Sequence, residues 1–147
     1  MVRFTANFPR VDIEHCFPFE VGAKDWLISI AGHDMEPAKV KAPFDQILFI
    51  HFDDVEEDLE FLNEKAITEQ QAKIIADFIR KAQAADKNVW VNCHAGMCRS
   101  GAIVEVLALL GWQIVEGFSP QRIPNRLVFN LVRQQFDELL NSWEKGK

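Results

Sequence analysis

The sequence lacks tyrosine altogether and has only three cysteines among its 147 residues. The protein therefore has no tyrosine of its own that a kinase could modify. The cysteines, Cys16, Cys93 and Cys98, are odd in number and lack the spacing of a disulfide framework. No signal peptide is recognisable at the start of the chain. We therefore expect free thiols, a reducing compartment and a cytoplasmic location.

Long apolar runs and basic clusters are also missing. No run approaches the ~18 residues needed to cross a bilayer, so we expect no membrane partner. The net charge is −6, and no Lys/Arg cluster offers the basic patch that a nucleic-acid partner requires. His and Cys do not occur at zinc-ligand spacings, and we predict neither a metal nor a cofactor. The pronounced charge run at residues 53–60 is acidic, and we interpret it as a solvated loop or as a rim that disfavours strongly anionic ligands.

Short apolar runs alternate with segments of helical periodicity. Thr68 can cap one helix, with Gln71 completing a capping box. This alternation predicts a single α/β domain over residues 1–147, with a central, mostly parallel sheet flanked by helices. Residues 1–25 remain unassigned, and residues 36–43 form a connector with or without a short helix. The expected elements are strands at 26–30 and 47–52, a helix from Thr68, a strand at 89–91, and helices at 102–110 and from near Asn125.

The strand at 89–91 runs into a loop that we call the 93–99 loop, and a helix follows at once. Ligands of open α/β sheets bind beyond the carboxyl ends of the strands. Backbone N–H groups that converge there, together with the helix dipole, form an anion site that suits phosphate. Gly96 allows a tight curl, and the guanidinium of Arg99 can take two phosphate oxygens at once. The residues expected to hold phosphate are His94, Ala95, Gly96, Met97, Cys98 and Arg99.

Cys93 lies at the start of this loop. A helix N-terminus and a nearby cation can lower the pKa of a thiol from about 8.5 to roughly 3.5–7.5. Cys93 would then be a thiolate nucleophile that forms a phosphocysteine intermediate. The hydroxyl of Ser100 could hydrogen-bond its sulfur. The alternative is that Cys93 is an inert thiol buried at the end of a strand.

The segment Val91-Asn92-Cys93-His94-Ala95-Gly96-Met97-Cys98-Arg99-Ser100-Gly101 resembles the signature loop of the protein tyrosine phosphatase superfamily. Within it, the segment is similar to the small dual-specificity branch, which usually has V-H-C-x-A-G-x-x-R-S. The resemblance covers roughly residues 26–143 and implies a dual-specificity-like fold. It also implies hydrolysis of phosphotyrosine, and of phosphoserine or phosphothreonine as further substrates. The sequence departs from the family at Asn92, where the family has His. Asn carries no charge, so we expect slower turnover rather than loss of activity.

A carboxylic acid must protonate the leaving group in such a reaction. The segment Ile47 to Asp54 resembles the family's strand that delivers this acid, and the resemblance favours Asp54. Asp53 is the alternative, or a hydrogen-bonding helper, and Asp58 ranks third. Both Asp53 and Asp54 could instead be solvated carboxylates at a strand end. Cys98 is either a small residue that fits the loop or a thiol that traps oxidised Cys93 as a disulfide.

Two other functions remain open at this point. One is a phosphoresidue-binding module without catalysis, a pseudophosphatase, which Asn92 favours. The other is different chemistry on a similar loop, such as persulfide transfer or arsenate reduction. Arg99 at this spacing favours a tetrahedral oxyanion over a neutral sulfur acceptor. We therefore predict a cysteine-dependent phosphatase whose partner is a phosphorylated protein or a small phosphomonoester, with Cys93, Arg99, Asp54 and Ser100 as catalytic residues.

Overall fold

The structure is a computed structural model that describes residues 2–145, with side chains described as far as residue 137. Strands and helices alternate along most of this range, and a turn of 3₁₀ helix lies at Glu60–Leu62. Within the described residues the elements are β1 (Phe4–Pro9), α1 (Arg10–His15), β2 (Asp25–Ala31), β3 (Gln46–His51), α2 (Glu69–Ala84), β4 (Asn88–Cys93), α3 (Arg99–Leu109), β5 (Gln113–Ile114) and α4 (Arg126–Lys145).

The strands form one sheet in the order β3-β2-β4-β1-β5. Every strand pair in it is parallel. The strand β4, which ends at Cys93, lies at the centre of the sheet between β2 and β1. A parallel sheet requires cover on both faces. The structure thus confirms the predicted α/β fold, and the sheet is wholly rather than mostly parallel.

The unassigned segment 1–25 contains β1 and α1. Thr5 and Asn7 are buried polar residues within β1, and their presence hides the strand from a reading of apolar runs. The strand ends at Pro9, where the missing N–H costs little because the ladder stops. The segment therefore supplies a strand that pairs with β4 directly beside the 93–99 loop.

The sheet has an apolar core on each face. The larger core lies under α2, α3 and α4 and includes Ile28, Val91 and Ile103. The smaller core lies on the opposite face and includes Phe8 and Trp90. The connector at 36–43 forms no helix, and its Ala38 packs into this smaller core. Both faces of the sheet are therefore buried. The ends of its strands remain open to a ligand.

The capping box predicted for α2 is present. Thr68 Oγ1 accepts a hydrogen bond from the N–H of Gln71 at 3.1 Å, and Gln71 Oε1 accepts one from the N–H of Thr68 at 3.0 Å. The Gln71 side chain also donates to the carbonyl of His51 at 2.6 Å. This bond ties the start of α2 to the end of β3, just before the acidic run. No helix described in residues 2–145 is long and apolar enough to cross a membrane.

Candidate active site

A cavity of about 350 Å³ lies at the carboxyl ends of the strands. Its walls come from segments that follow four of the strands, as expected for a ligand site in a parallel α/β sheet. Asp53 and Asp54, the first residues of the acidic run, are in these walls, so the run borders the cavity rather than lying apart from it. The wall residues that matter for the chemistry are Arg10, Gly32, Asp53, Asp54, His94 and Arg99.

The carbonyl groups of the 93–99 loop are held by donors from other segments. No N–H group from Ala95 to Cys98 is hydrogen-bonded within the part of the chain that the structure describes. These N–H groups therefore remain available to an anion, as in other backbone anion sites. The donor pairs are Arg10 N–H to His94 O at 3.1 Å, Asn7 Nδ2 to Gly96 O at 2.6 Å, Ile123 N–H to Met97 O at 3.2 Å and Asn125 N–H to Cys98 O at 3.0 Å.

Gly96 adopts the left-handed conformation, with φ of 73°, which produces the tight curl expected at this position. A Cβ at this position would lie 2.3 Å from the backbone N of Pro9 and 2.4 Å from the carbonyl carbon of Phe8. Backbone atoms cannot move aside as a flexible side chain can. The 93–99 loop therefore packs on the end of β1 so closely that only glycine fits.

Cys93 is the last residue of β4 and is only 2% exposed. Its Sγ lies 3.2 Å from Oγ of Ser100. Either atom can be the donor in this contact. Cys93 is not among the cavity-lining residues, whereas its neighbour His94 is. The nucleophile candidate therefore lies at the base of the loop rather than on the cavity wall.

The Arg99 side chain extends from the start of α3 to Phe52, the residue that follows β3. Its Nη1 donates to the carbonyl of Phe52 at 2.9 Å. Its Nε is buried and has no hydrogen-bond partner in the described residues. A buried donor without a partner costs about 1–3 kcal/mol. The guanidinium is thus fixed at one nitrogen and unsatisfied at another beside the cavity.

Asp53 is held by three hydrogen bonds. Its Oδ1 accepts from the N–H of His33 at 3.1 Å, and its Oδ2 accepts from the N–H of Lys65 at 2.7 Å. Oδ2 also lies 2.6 Å from Nδ1 of His33. Burial raises the pKa of this carboxyl, but the hydrogen bonds from Lys65 and His33 outweigh burial and leave the pKa below its ordinary value of 3.8. An acid held ionised in this way is a poor proton donor.

Asp54 has different surroundings. Its Oδ1 accepts a hydrogen bond from Nδ2 of Asn125 at 2.9 Å, and its side chain borders the cavity with Arg99.

Burial and then the neighbouring Asp54 raise the pKa of the Cys98 thiol. Cys98 therefore stays a thiol, which weakens it as a nucleophile toward an oxidised Cys93. All three cysteines are free, and Asp58 accepts from the N–H of Ala66, a structural contact.

Asn92 is completely buried, and neither of its side-chain polar atoms has a partner in the described residues. It pairs in register with Phe8 and Ser29 of the neighbouring strands. Side chains of successive strand residues point to opposite faces of a sheet, so Asn92 and Cys93 face different cores. Among the residues that the structure describes, the Asn92 side chain makes no hydrogen bond to the 93–99 loop.

Sequence reasoning missed three residues that shape the site. Asn7 and Arg10 lie in the segment to which no element was assigned, and no local pattern marks them. Asn125 was placed only as the start of the last helix. Its signal was the preference for Asn at helix N-caps, and Nδ2 and Oδ1 of this side chain in fact bind Asp54 and the N–H of Val128.

In the described part of the chain, no group of three or more His, Cys, Asp or Glu side chains is placed to hold a metal ion. The fold and the site define an α/β protein in which β4, the 93–99 loop and α3 form a candidate anion site at the carboxyl ends of the strands. Comparison with protein-family models finds no match to this chain, and comparison with curated proteins finds no match either.

Proposed function

We propose that the chain is a cysteine-dependent phosphomonoesterase of the protein tyrosine phosphatase type. Its substrates would be phosphotyrosine, and phosphoserine or phosphothreonine as further substrates. The observation that carries this proposal is Arg99, whose Nη1 is held by Phe52 while its buried Nε has no partner within the described residues. A phosphoryl group that accepts from Nε and Nη2 satisfies this donor in the bidentate geometry that guanidinium favours.

In the first step, the thiolate of Cys93 attacks phosphorus. An S–P bond forms as the ester P–O bond breaks, and its electron pair goes to the leaving oxygen. The carboxyl of Asp54 gives its proton to that oxygen. The free N–H groups of the 93–99 loop and the guanidinium of Arg99 stabilise the charge on the phosphoryl oxygens.

In the second step, water attacks the phosphocysteine. The Asp54 carboxylate takes a proton from this water, the S–P bond breaks and inorganic phosphate forms. Cys93 leaves as a thiolate, to which the hydroxyl of Ser100, 3.2 Å away, can donate. Asp54 suits the acid–base role better than Asp53, because the hydrogen bonds to Asp53 keep its pKa low and hold both of its oxygens.

A monoanionic or dianionic phosphoryl group fits this site better than a multiply phosphorylated ligand. Asp53 and Glu64 both border the cavity, and their charges repel further phosphates. The guanidinium of Arg10, also at the cavity, already donates to the carbonyls of Glu36 and Pro37. We therefore propose a phosphorylated protein or a small phosphomonoester as the substrate, and a reducing, cytoplasmic compartment that keeps Cys93 reduced.

The test is hydrolysis of a small aryl phosphate by the wild-type protein and by C93S, R99K and D54N. We expect C93S to be inactive. R99K keeps the charge but removes the planar fork, and we expect kcat/KM to fall by about 100-fold or more. A phosphoryl adduct on Cys93 should be detected by mass spectrometry of quenched D54N reactions. Turnover that survives C93S would overturn the mechanism.

The second candidate is a phosphoresidue-binding module without catalysis. The burial of Asn92, with both polar atoms unpaired in the described residues, favours it, because this side chain does not order the loop. Calorimetry with inorganic phosphate separates the two functions. Phosphate binding that depends on Arg99, in a protein without hydrolytic activity, would support the module and contradict the enzyme.

A further inference from the structure

Asn125 joins three segments around the cavity. Its backbone N–H donates to the carbonyl of Cys98 in the 93–99 loop at 3.0 Å. Its side-chain Nδ2 donates to Asp54 Oδ1 at 2.9 Å and to the carbonyl of Val55 at 3.2 Å. Its Oδ1 accepts from the N–H of Val128 at 3.1 Å and so caps α4. The residue is 7% exposed, and water competes little for these bonds.

The surroundings allow only one orientation of this side-chain amide. Both protons of Nδ2 are used by oxygen acceptors, and Oδ1 faces an N–H donor. A flipped amide would place its oxygen against the carboxylate of Asp54 and the carbonyl of Val55. An amide in this position therefore holds Asp54 Oδ1 in place.

We propose that Asn125 is a positioning residue that sets the orientation of Asp54 for proton transfer to the leaving group. This inference rests on the proposed function. The backbone bond to Cys98 fixes Asn125 relative to the 93–99 loop, and the side-chain bond fixes Asp54 relative to Asn125. One residue thus sets the geometry between the phosphoryl site and its acid, and the bonds that do so are shorter than 3.1 Å.

The expected signature is a dependence on the leaving group. Phenolate is strongly basic and needs a proton as it departs, whereas 2,4-dinitrophenolate does not. A misplacement of a catalytic group by about 1 Å can cost roughly 100-fold. Loss of the Asn125 donor should therefore lower kcat/KM for phenyl phosphate, which reports the step that forms the phosphocysteine, by about 10- to 100-fold. The kcat/KM for 2,4-dinitrophenyl phosphate should change far less.

The test variant is N125S. Serine caps helices about as well as asparagine, so the variant keeps the cap on α4 and the backbone bond to Cys98, and loses the Nδ2 donor to Asp54 and to the carbonyl of Val55. The matched control is E56A. Glu56 Oε1 accepts from the N–H of Arg126 at 3.0 Å, so this variant removes another bond between the acidic run and α4 that does not involve Asp54. Inhibition by inorganic phosphate should be unchanged in both variants.

We expect N125S, and not E56A, to show the leaving-group effect. We also expect N125S to have no further effect in a D54N background, because both changes remove the same function. Equal losses with both leaving groups, or the same effect in E56A, would overturn the inference and assign Asn125 a structural role. If C93S loses activity and N125S shows no leaving-group effect, the proposed phosphatase function stands and only the proposed role of Asn125 is rejected.

Discussion

At Gly96, a single hydrogen atom in place of a side chain lets the 93–99 loop contact β1. We expect G96A to lower the free energy of unfolding by at least about 3 kcal/mol and to abolish phosphate binding, since it adds a clash with backbone to an unfavourable φ. Urea denaturation and calorimetry with inorganic phosphate measure the two effects. The control is G22A, where a Cβ meets nothing within 4 Å. A G96A protein that binds phosphate normally would contradict this account of the loop.

Asp53 should make stability depend on pH. Its pKa is lower in the folded chain than its ordinary value, because the hydrogen bonds from Lys65 and His33 outweigh burial. The ionised carboxylate therefore stabilises the fold above the unfolded pKa, and this contribution is lost as the pH falls through the folded pKa. We expect the free energy of unfolding to drop below about pH 4.

The variant D53N tests this origin. At neutral pH it should be less stable than wild type by about 1–3 kcal/mol, because an amide cannot accept all three hydrogen bonds. Urea denaturation between neutral and acidic pH should give a flatter profile than wild type. Aryl phosphate hydrolysis should keep its dependence on Asp54. A profile parallel to wild type would assign the acid sensitivity to other carboxylates.

Among the helices and strands, α2 begins at a capping box formed by residues that are close in the sequence. Thr68 and Gln71 satisfy each other's backbone N–H groups, and the Gln71 side chain continues to the end of β3. We expect T68A to lower the free energy of unfolding by about 1 kcal/mol with little change in kcat, since the cap lies outside the cavity. Thermal denaturation measures the loss. T68S keeps the hydroxyl and should match wild type, and an equal loss in T68S would point to the methyl group instead of the cap.

For the whole molecule, we expect the site to depend on the smaller core, which we also call the second core. Phe8 is fully buried, and its ring centroid lies 4.8 Å from that of Phe17 and 6.0 Å from that of Trp90. We expect F8A to cost about 3–5 kcal/mol, a large part of the 5–15 kcal/mol typical of a domain. Phosphate binding should weaken with it, because β1 supports the 93–99 loop.

Chemical denaturation of F8A and of F61A makes the comparison. Phe61 is 86% exposed, and its removal should change stability by no more than about 0.5 kcal/mol. Similar losses in both variants would mean that aromatic content, rather than the packing of the second core, determines stability.

Local patterns in the sequence determined much of this architecture. Apolar runs, the capping box at Thr68 and the order of strand, loop and helix around Cys93 depend on near neighbours in the chain, and the structure contains each of them. The α/β fold followed from their alternation. The short β5 and the polar-containing β1 could not be predicted in this way, because two residues carry no period and because Asn7 interrupts the apolar pattern.

Only the tertiary structure decided which distant residues complete the site. The sheet order brings Asn7 to Gly96 and Asn125 to Asp54 across 89 and 71 positions. The tertiary structure also gave Asp53 and Asp54 different surroundings, because the donors that hold Asp53 come from the loop after β2 and from the segment before α2. Local periodicity shows which face of an element is buried and carries no record of which strands become neighbours. The local pattern in the sequence therefore indicated the candidate loop from Cys93 to Arg99, and the contacts of β1 and of the segment before α4 with that loop determined its shape.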